Sequence, residues 1–210
     1  MDDELRQLWK RAMTPLEALE LLRAGNHAFL SDAPLRPALD RASRLRLAAG
    51  QSPFAAYVSC SDSRVPPELL FGRGLGELFI IRNAGNTLDT AAIGSLEFAV
   101  SVLGVPLIVV MGHEACGAVQ AAVSVVQKNA RFSGSIGKMI QPIIPAVLEA
   151  DLAPGADIEA AVLQNVRRVV RELREEASPI LLAPQATGAL IVVGAYYRLG
   201  SGEVDFFDVP

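Results

Sequence analysis

Four short runs of aliphatic, β-branched and aromatic residues constrain this chain more than any other feature: 54–59 (FAAYVS), 78–82 (LFIIR), 106–111 (PLIVVM) and 189–195 (ALIVVGA). Each is nearly continuous in apolar character instead of alternating, which is the pattern of strands covered on both faces. Between them lie segments with helical spacing at 90–103, 117–126 and 158–176. Strands separated by helices predict an α/β fold, a central, mainly parallel β-sheet flanked by helices.

A chain of 210 residues can bury a full core without staples, so a single domain over 1–210 is expected. Residues 1–50 read as a mostly helical N-terminal arm and 51–210 as the α/β core. Thr14-Pro15-Leu16-Glu17 offers an N-cap, a proline at the first helical position and a carboxylate at the third. Leu5, Leu8 and Trp9, with Leu16, Leu19 and Leu22, form apolar stripes suited to packing on a second subunit. The 23 acidic and 19 basic residues are spread along the chain and leave a net charge of -4, so no nucleic-acid partner is expected. The charged start MDDELRQLWKR lacks the apolar stretch of an export signal, which points to the cytoplasm. The long uncharged run 177–197 is divided by Pro179, Pro184, Gln185 and Gly188 into a loop and a short strand, so no membrane span is expected.

The two cysteines, Cys60 and Cys116, each follow an apolar run. A cytosolic chain of this size neither needs nor easily keeps a disulfide. Cys116 lies in Gly112-His113-Glu114-Ala115-Cys116-Gly117, where His113 and Cys116 are three apart and would share one face of a turn opening a helix. Cys60 would lie at the same carboxyl edge of a parallel sheet, where open α/β sheets place their ligands. Two thiolates and one imidazole make three ligands, and three protein ligands leave a zinc position open for water. The alternative is that both cysteines are buried as small hydrophobes and His113 is a satisfied core histidine. A redox pair is disfavoured because there is no Cys-x-x-Cys.

Asp62 and Arg64 follow Cys60 at every second position. In an extended segment all three would point the same way. A plain ion pair at a strand end is one reading. Beside a metal, Asp62 could take the fourth position itself or accept a proton from a bound water, and a bidentate contact from Arg64 would hold it in the second role.

CSDSRVPPELLF, GELFIIRNAGN, GSLEFAVSVLGVPLIVVMGHEACGAV and GAYYRLGSGEVDFF together resemble the β-class carbonic anhydrases, from about Leu19 through Phe207. The resemblance implies one Zn2+ per chain held by Cys60, His113 and Cys116, with Asp62 and Arg64 as the catalytic dyad. It implies a parallel sheet, an N-terminal arm embracing a partner, and a homodimer or homotetramer. The implied reaction is the reversible hydration of CO2 to bicarbonate and a proton by zinc-bound hydroxide. In family members with a constitutively open site, a glutamine nine residues before the first cysteine comes from the neighbouring subunit to bind substrate, and Gln51 stands there. Aromatic residues that wall the pocket match Phe79 and Phe98. Members with a regulatory bicarbonate pocket carry tryptophan three residues before that cysteine, where this chain has Tyr57, so the open type is expected.

His27 is a candidate proton shuttle only as the other histidine. Asn83, Gly85 and Asn86 read by themselves as a strand-end turn. Arg167, Arg168, Arg171 and Arg174 read as a solvated helical charge face. Two rival functions stand beside the first: hydrolysis of CS2 or COS on the same scaffold, and a zinc-holding interaction module without turnover.

Overall fold

The structure, a computed structural model, describes residues 13–31 and 39–210. Its five-stranded sheet has the order β2-β1-β3-β4-β5, with β1 Ala55–Cys60, β2 Leu78–Asn83, β3 Leu107–His113, β4 Ile191–Tyr197 and β5 Val204–Phe207. The first four strands run parallel and β5 returns antiparallel along β4. Every residue of β1 and β3 is buried, which is why these runs carry no polar alternation. Along β1 and β3, Tyr57, Val109 and Met111 feed one core layer, and Ala56, Val58, Ile108 and Val110 feed the other.

Helix α1 (Pro15–Leu30) is followed by α2 (Arg41–Leu47), the single turn α3 (Pro67–Leu70), α4 (Thr90–Ser101) and α5 (Gly117–Lys128). Helices α6 (Gly134–Ile140) and α7 (Ile144–Glu149) flank a 3-10 turn, and α8 (Glu159–Arg171) runs on into a π-helical turn before α9 (Pro179–Ala186). The N-cap of α1 is a full capping box: the Thr14 hydroxyl accepts from the Glu17 amide and the Glu17 carboxylate accepts from the Thr14 amide. Leu19 and Leu22 are buried in the chain's own core, where each contributes about 1.5–3 kcal/mol, whereas Leu16 faces solvent. Leu5, Leu8 and Trp9 lie outside the described residues.

Two residues let α1 seat this closely. A Cβ on Gly25 would lie 2.2 Å from the Phe71 carbonyl oxygen, so only glycine allows the approach. Next to it, the buried Asn26 donates to the carbonyls of Gly202 (3.0 Å) and Leu70 (3.4 Å) and accepts from the Val204 amide (3.0 Å). One side chain thus ties α1 to the β4–β5 hairpin.

The structure departs from the sequence reading in several places. Residues 179–186 form a helix where a loop was expected: Pro179 occupies the first helical position, which needs no amide hydrogen, while Pro184 lies inside the helix at the loss of one main-chain hydrogen bond, two residues before the helix ends. Strand β5 and helices α6 and α7 were not anticipated. Of the arginines read as a solvated face, Arg174 donates to the carbonyls of Val192 and Asp208, Arg167 stacks over the Phe207 ring, and Arg168 pairs with Glu149. These contacts fasten α8 to the C-terminal strand and to α7. Among the described residues, no helix is long and apolar enough to cross a membrane.

Candidate metal centre

The strand order fixes the place of the site. From β1 the chain crosses to β2 on one side, and β3 then enters on the other, so the connections diverge between the neighbouring strands β1 and β3. The carboxyl ends of such a pair frame an open crevice. Cys60 is the last residue of β1 and His113 the last of β3. Three residues on, after Ala115 in a left-handed turn (φ 53°), Cys116 occupies the N-cap position of α5.

The sulfurs of Cys60 and Cys116 lie 4.0 Å apart, and the ligand atoms of Cys60, His113 and Cys116 fall within 4.8 Å of one another. Tetrahedral zinc with Zn–S bonds of about 2.3 Å needs its sulfurs roughly 3.8 Å apart, so the spacing fits the ion. His113 is completely buried, and its Nδ1 lies 2.8 Å from the main-chain oxygen of Glu114. A carbonyl only accepts, so Nδ1 carries the hydrogen and Nε2 presents its lone pair. That Nε2 is buried with no hydrogen-bond partner. A satisfied core histidine would have both nitrogens engaged; this one has its free lone pair beside two thiols, which is the donor set zinc takes.

The thiols are electrostatically unequal. A hydrogen bond from Cys116, with further bonds from the amides of Gly85 and Asp62, pulls Cys60 down to about 4 against the cost of burial. The same sharing, together with burial, pushes Cys116 up. The Gly85 amide approaches the Cys60 sulfur at 3.4 Å. The RNAGN segment is therefore the expected turn, pinned by Asn83 to Thr87 in both directions, and one of its amides also supports a thiolate.

Asp62 and Arg64 meet, although not by strand alternation. β1 ends at Cys60 and residues 62–65 close a turn, with the Val65 amide bonded to the Asp62 carbonyl. The Arg64 guanidinium grips the Asp62 carboxylate with both ends of its fork, Nε to Oδ1 at 2.8 Å and Nη2 to Oδ2 at 2.6 Å, while the Arg64 amide adds a third bond at 3.0 Å. This grip holds the Asp62 carboxyl well below the usual carboxylate range, aided by its closeness to His113. Oδ2 stands 4.0 Å from His113 Nε2, at the edge of the ligand cluster. The site depends on a residue that the sequence reading missed. Arg82, on β2, donates to the carbonyls of Cys60 (3.0 Å) and Asp62 (2.6 Å) and so holds the loop carrying ligand and carboxylate. Its signal was a lone arginine closing an otherwise apolar strand.

The other expected residues do not join this cluster. Gln51 is exposed and lies four residues before β1, beyond the end of the strand opposite Cys60, and the strand itself is roughly 17 Å long. Phe79 pairs in register with Ala56, also toward that end, and its ring lies 6.2 Å from that of Phe98, which is largely exposed on α4. Tyr57 is fully buried against Phe71. His27 lies on α1 and is not part of the ligand cluster found among the described residues.

A carbonic anhydrase family model matches residues 55–204. The carbonic anhydrase of Mycolicibacterium smegmatis is 37% identical over 191 residues, 91% of this chain and 92% of that protein. Carbonic anhydrase 2 of Mycobacterium tuberculosis is 37% identical over 188 residues, 90% of each. Among solved structures, a tetrameric β-carbonic anhydrase of Sordaria macrospora superposes with a TM-score of 0.71 at 27% identity, covering 79% of this chain and 86% of that one. The Coccomyxa β-carbonic anhydrase gives 0.65 at 29% identity, covering 79% and 77%. Sheet order, ligand geometry and these similarities agree, and the chain belongs to the β-carbonic anhydrase family.

Proposed function

We propose that reversible hydration of CO2 to bicarbonate and a proton, the reaction of this family, takes place at a zinc centre held by Cys60, His113 and Cys116, with Asp62 and Arg64 as its acting dyad. The observation that carries this reading is the buried, unpartnered Nε2 of His113 beside two thiols 4.0 Å apart. Bound there, zinc supplies a water acidified to near neutrality as the nucleophile toward CO2. The side chains orient the reaction. Asp62, ionised and able only to accept, takes the hydrogen bond of the attacking water and turns the water's lone pair toward the substrate carbon. Arg64 occupies both carboxylate oxygens, which keeps Asp62 ionised and off the metal, as in the open type of site.

We assign substrate binding to Gln51, Phe79 and Phe98 of a neighbouring subunit. Support comes from their lying toward the amino ends of β1 and β2, away from the ligands of their own chain. The edge strand β2, with the exposed Phe98 and Val102 of α4, is the surface we infer for pairing as a homodimer, itself the unit of any homotetramer. One domain, with residues 1–50 as an arm on the 51–210 core, accords with α1 packing into that core. A cytoplasmic setting accords with two free thiols poised for a metal.

The test is stopped-flow CO2 hydration near pH 8.5 with zinc per chain measured on the same sample. Fast turnover with about one zinc per chain is expected, with loss of zinc in Cys60→Ser and retained zinc but depressed kcat in Asp62→Asn. Full zinc without turnover on CO2 would remove the reading and move the search to COS and CS2.

A further inference from the structure

Residues 114 and 115 are all that separate the ligands His113 and Cys116, and residue 114 is held at three points. Its amide donates to the Tyr197 carbonyl at the end of β4 (2.9 Å). Its carbonyl accepts the Nδ1 hydrogen of His113 (2.8 Å). Its side chain, although exposed, turns back to the β4–β5 hairpin, where Oε2 accepts from the amides of Leu199 (2.7 Å) and Gly200 (3.3 Å). The two hairpin amides and the carboxylate make a charge-assisted clamp.

From this geometry we infer that Glu114 is a positioning residue of the metal centre: its carboxylate, anchored on the hairpin amides, holds in place the carbonyl that orients His113 and fixes its tautomer. The hairpin is itself braced, since Asn26 of α1 bonds to Gly202 and Val204 at its far side. The carbonyl is a direct partner of a metal ligand, and the carboxylate acts one step behind it. Partners of that first kind change metal affinity about 10–100-fold when lost, and the clamp falls at the lower end of that range. Glutamine at 114 keeps an acceptor oxygen without the charge, so it retains most of the effect.

The inference rests on the zinc reading above, and its test is read on zinc and not on turnover. The full-length protein is loaded with zinc, and the rate of transfer to an excess of a chromogenic chelator is followed. Glu114→Ala is expected to release zinc about 10-fold faster than wild type, and Glu114→Gln to stay within about 3-fold. Cobalt-loaded Glu114→Ala should show an altered visible spectrum, the signature of a displaced imidazole. Ser201→Ala removes the hydroxyl that accepts from the Glu203 amide in the same hairpin without touching Glu114, and should leave release unchanged. Wild-type release rates and spectra in both Glu114 variants would overturn the assignment, as would equal acceleration in Ser201→Ala. If Glu114→Ala does not fold, Glu114→Ser, which cannot reach the hairpin amides, decides in its place: release at the wild-type rate or slower overturns the inference, and release about 10-fold faster with a shifted cobalt spectrum supports it. CO2 hydration measured on the same wild-type sample separates the two readings. Zinc held without turnover removes the catalytic reading and leaves release rates to judge Glu114, whereas a wild type that holds no zinc overturns both.

Discussion

Replacing Asn26 by alanine tests whether the buried clip between α1 and the β4–β5 hairpin stabilises the fold as its geometry requires. Two of its three hydrogen bonds are short, to the Gly202 carbonyl and from the Val204 amide, both at 3.0 Å, and the third, at 3.4 Å to Leu70, counts for little. Gly202 and Val204 are both buried, so deletion of the side chain strands one acceptor and one donor away from water. An orphaned buried group costs about 1–3 kcal/mol, so two give an expected loss of about 2–6 kcal/mol, a large share of a total stability of about 5–15 kcal/mol. Asn26→Asp is the sharper variant. It keeps the acceptor for Val204 but aims a carboxylate at two carbonyl oxygens, so its folded pKa must rise above the unfolded value of about 3.9. A group raised in this way gives its full stability below the unfolded pKa and loses it as pH climbs through the folded one. The Asp variant should therefore approach wild type near pH 4 and fall away from it toward pH 7. Urea unfolding of the zinc-loaded protein, followed by far-UV circular dichroism at fixed protein concentration, measures both variants. A loss below about 0.5 kcal/mol in Asn26→Ala, or a pH-independent gap in Asn26→Asp, would refute the reasoning.

A Cβ on Gly112 would lie 2.7 Å from Val162 Cγ1 and 2.8 Å from Val166 Cγ2, so Gly112→Ala should push α8 off β3 at a cost of about 1–3 kcal/mol in urea unfolding and weaken zinc retention at the adjoining His113. Burial and the neighbouring Glu176 raise the pKa of Glu172, so its charge opposes folding as pH rises; Glu172→Gln should stabilise by less than about 1 kcal/mol at pH 7, and the gain should vanish near pH 4. Arg64→Lys replaces a two-pronged grip by a point charge and should lower kcat with zinc content unchanged, as read by stopped-flow kinetics beside metal analysis. Stripping zinc with a chelator should abolish turnover and expose both thiols to titration, and zinc restored at about 1,000 times its Kd should return about 4.1 kcal/mol of stability.

The sheet was legible because strands buried on both faces cannot hide their composition: the run PLIVVM emerged as the body of β3, and all four runs became strands. β5 escaped notice because only four residues pair there, and its Asp205 and exposed Glu203 neighbour give it an ordinary surface pattern. Helix α9 was obscured by Pro179 and Pro184, whose meaning depends on where in a helix they fall, and local composition does not fix that. The ligand set could be read from two cysteines and one histidine behind apolar runs. The convergence of Asp62 on Arg64 was also anticipated, but for the wrong local reason: a turn brings them together, not an extended segment. The contributions of Arg82 and Glu114 are made through main-chain carbonyls and amides, and a hydrogen bond to a backbone atom leaves no requirement on the identity of the residue receiving it. Such partners become visible only in three dimensions.

The length of β1 has a last consequence. With Gln51 before the strand and Cys60 at its far end, the proposed arrangement divides each working centre between two polypeptides, one bringing the metal and the other the grip on substrate. A solitary chain would then be loaded but idle, and catalytic output would follow the encounter of subunits instead of their number. Two variants crippled in opposite halves, mixed and allowed to exchange, would regenerate one intact centre in every hybrid pair, while the second centre in the same pair would carry both lesions.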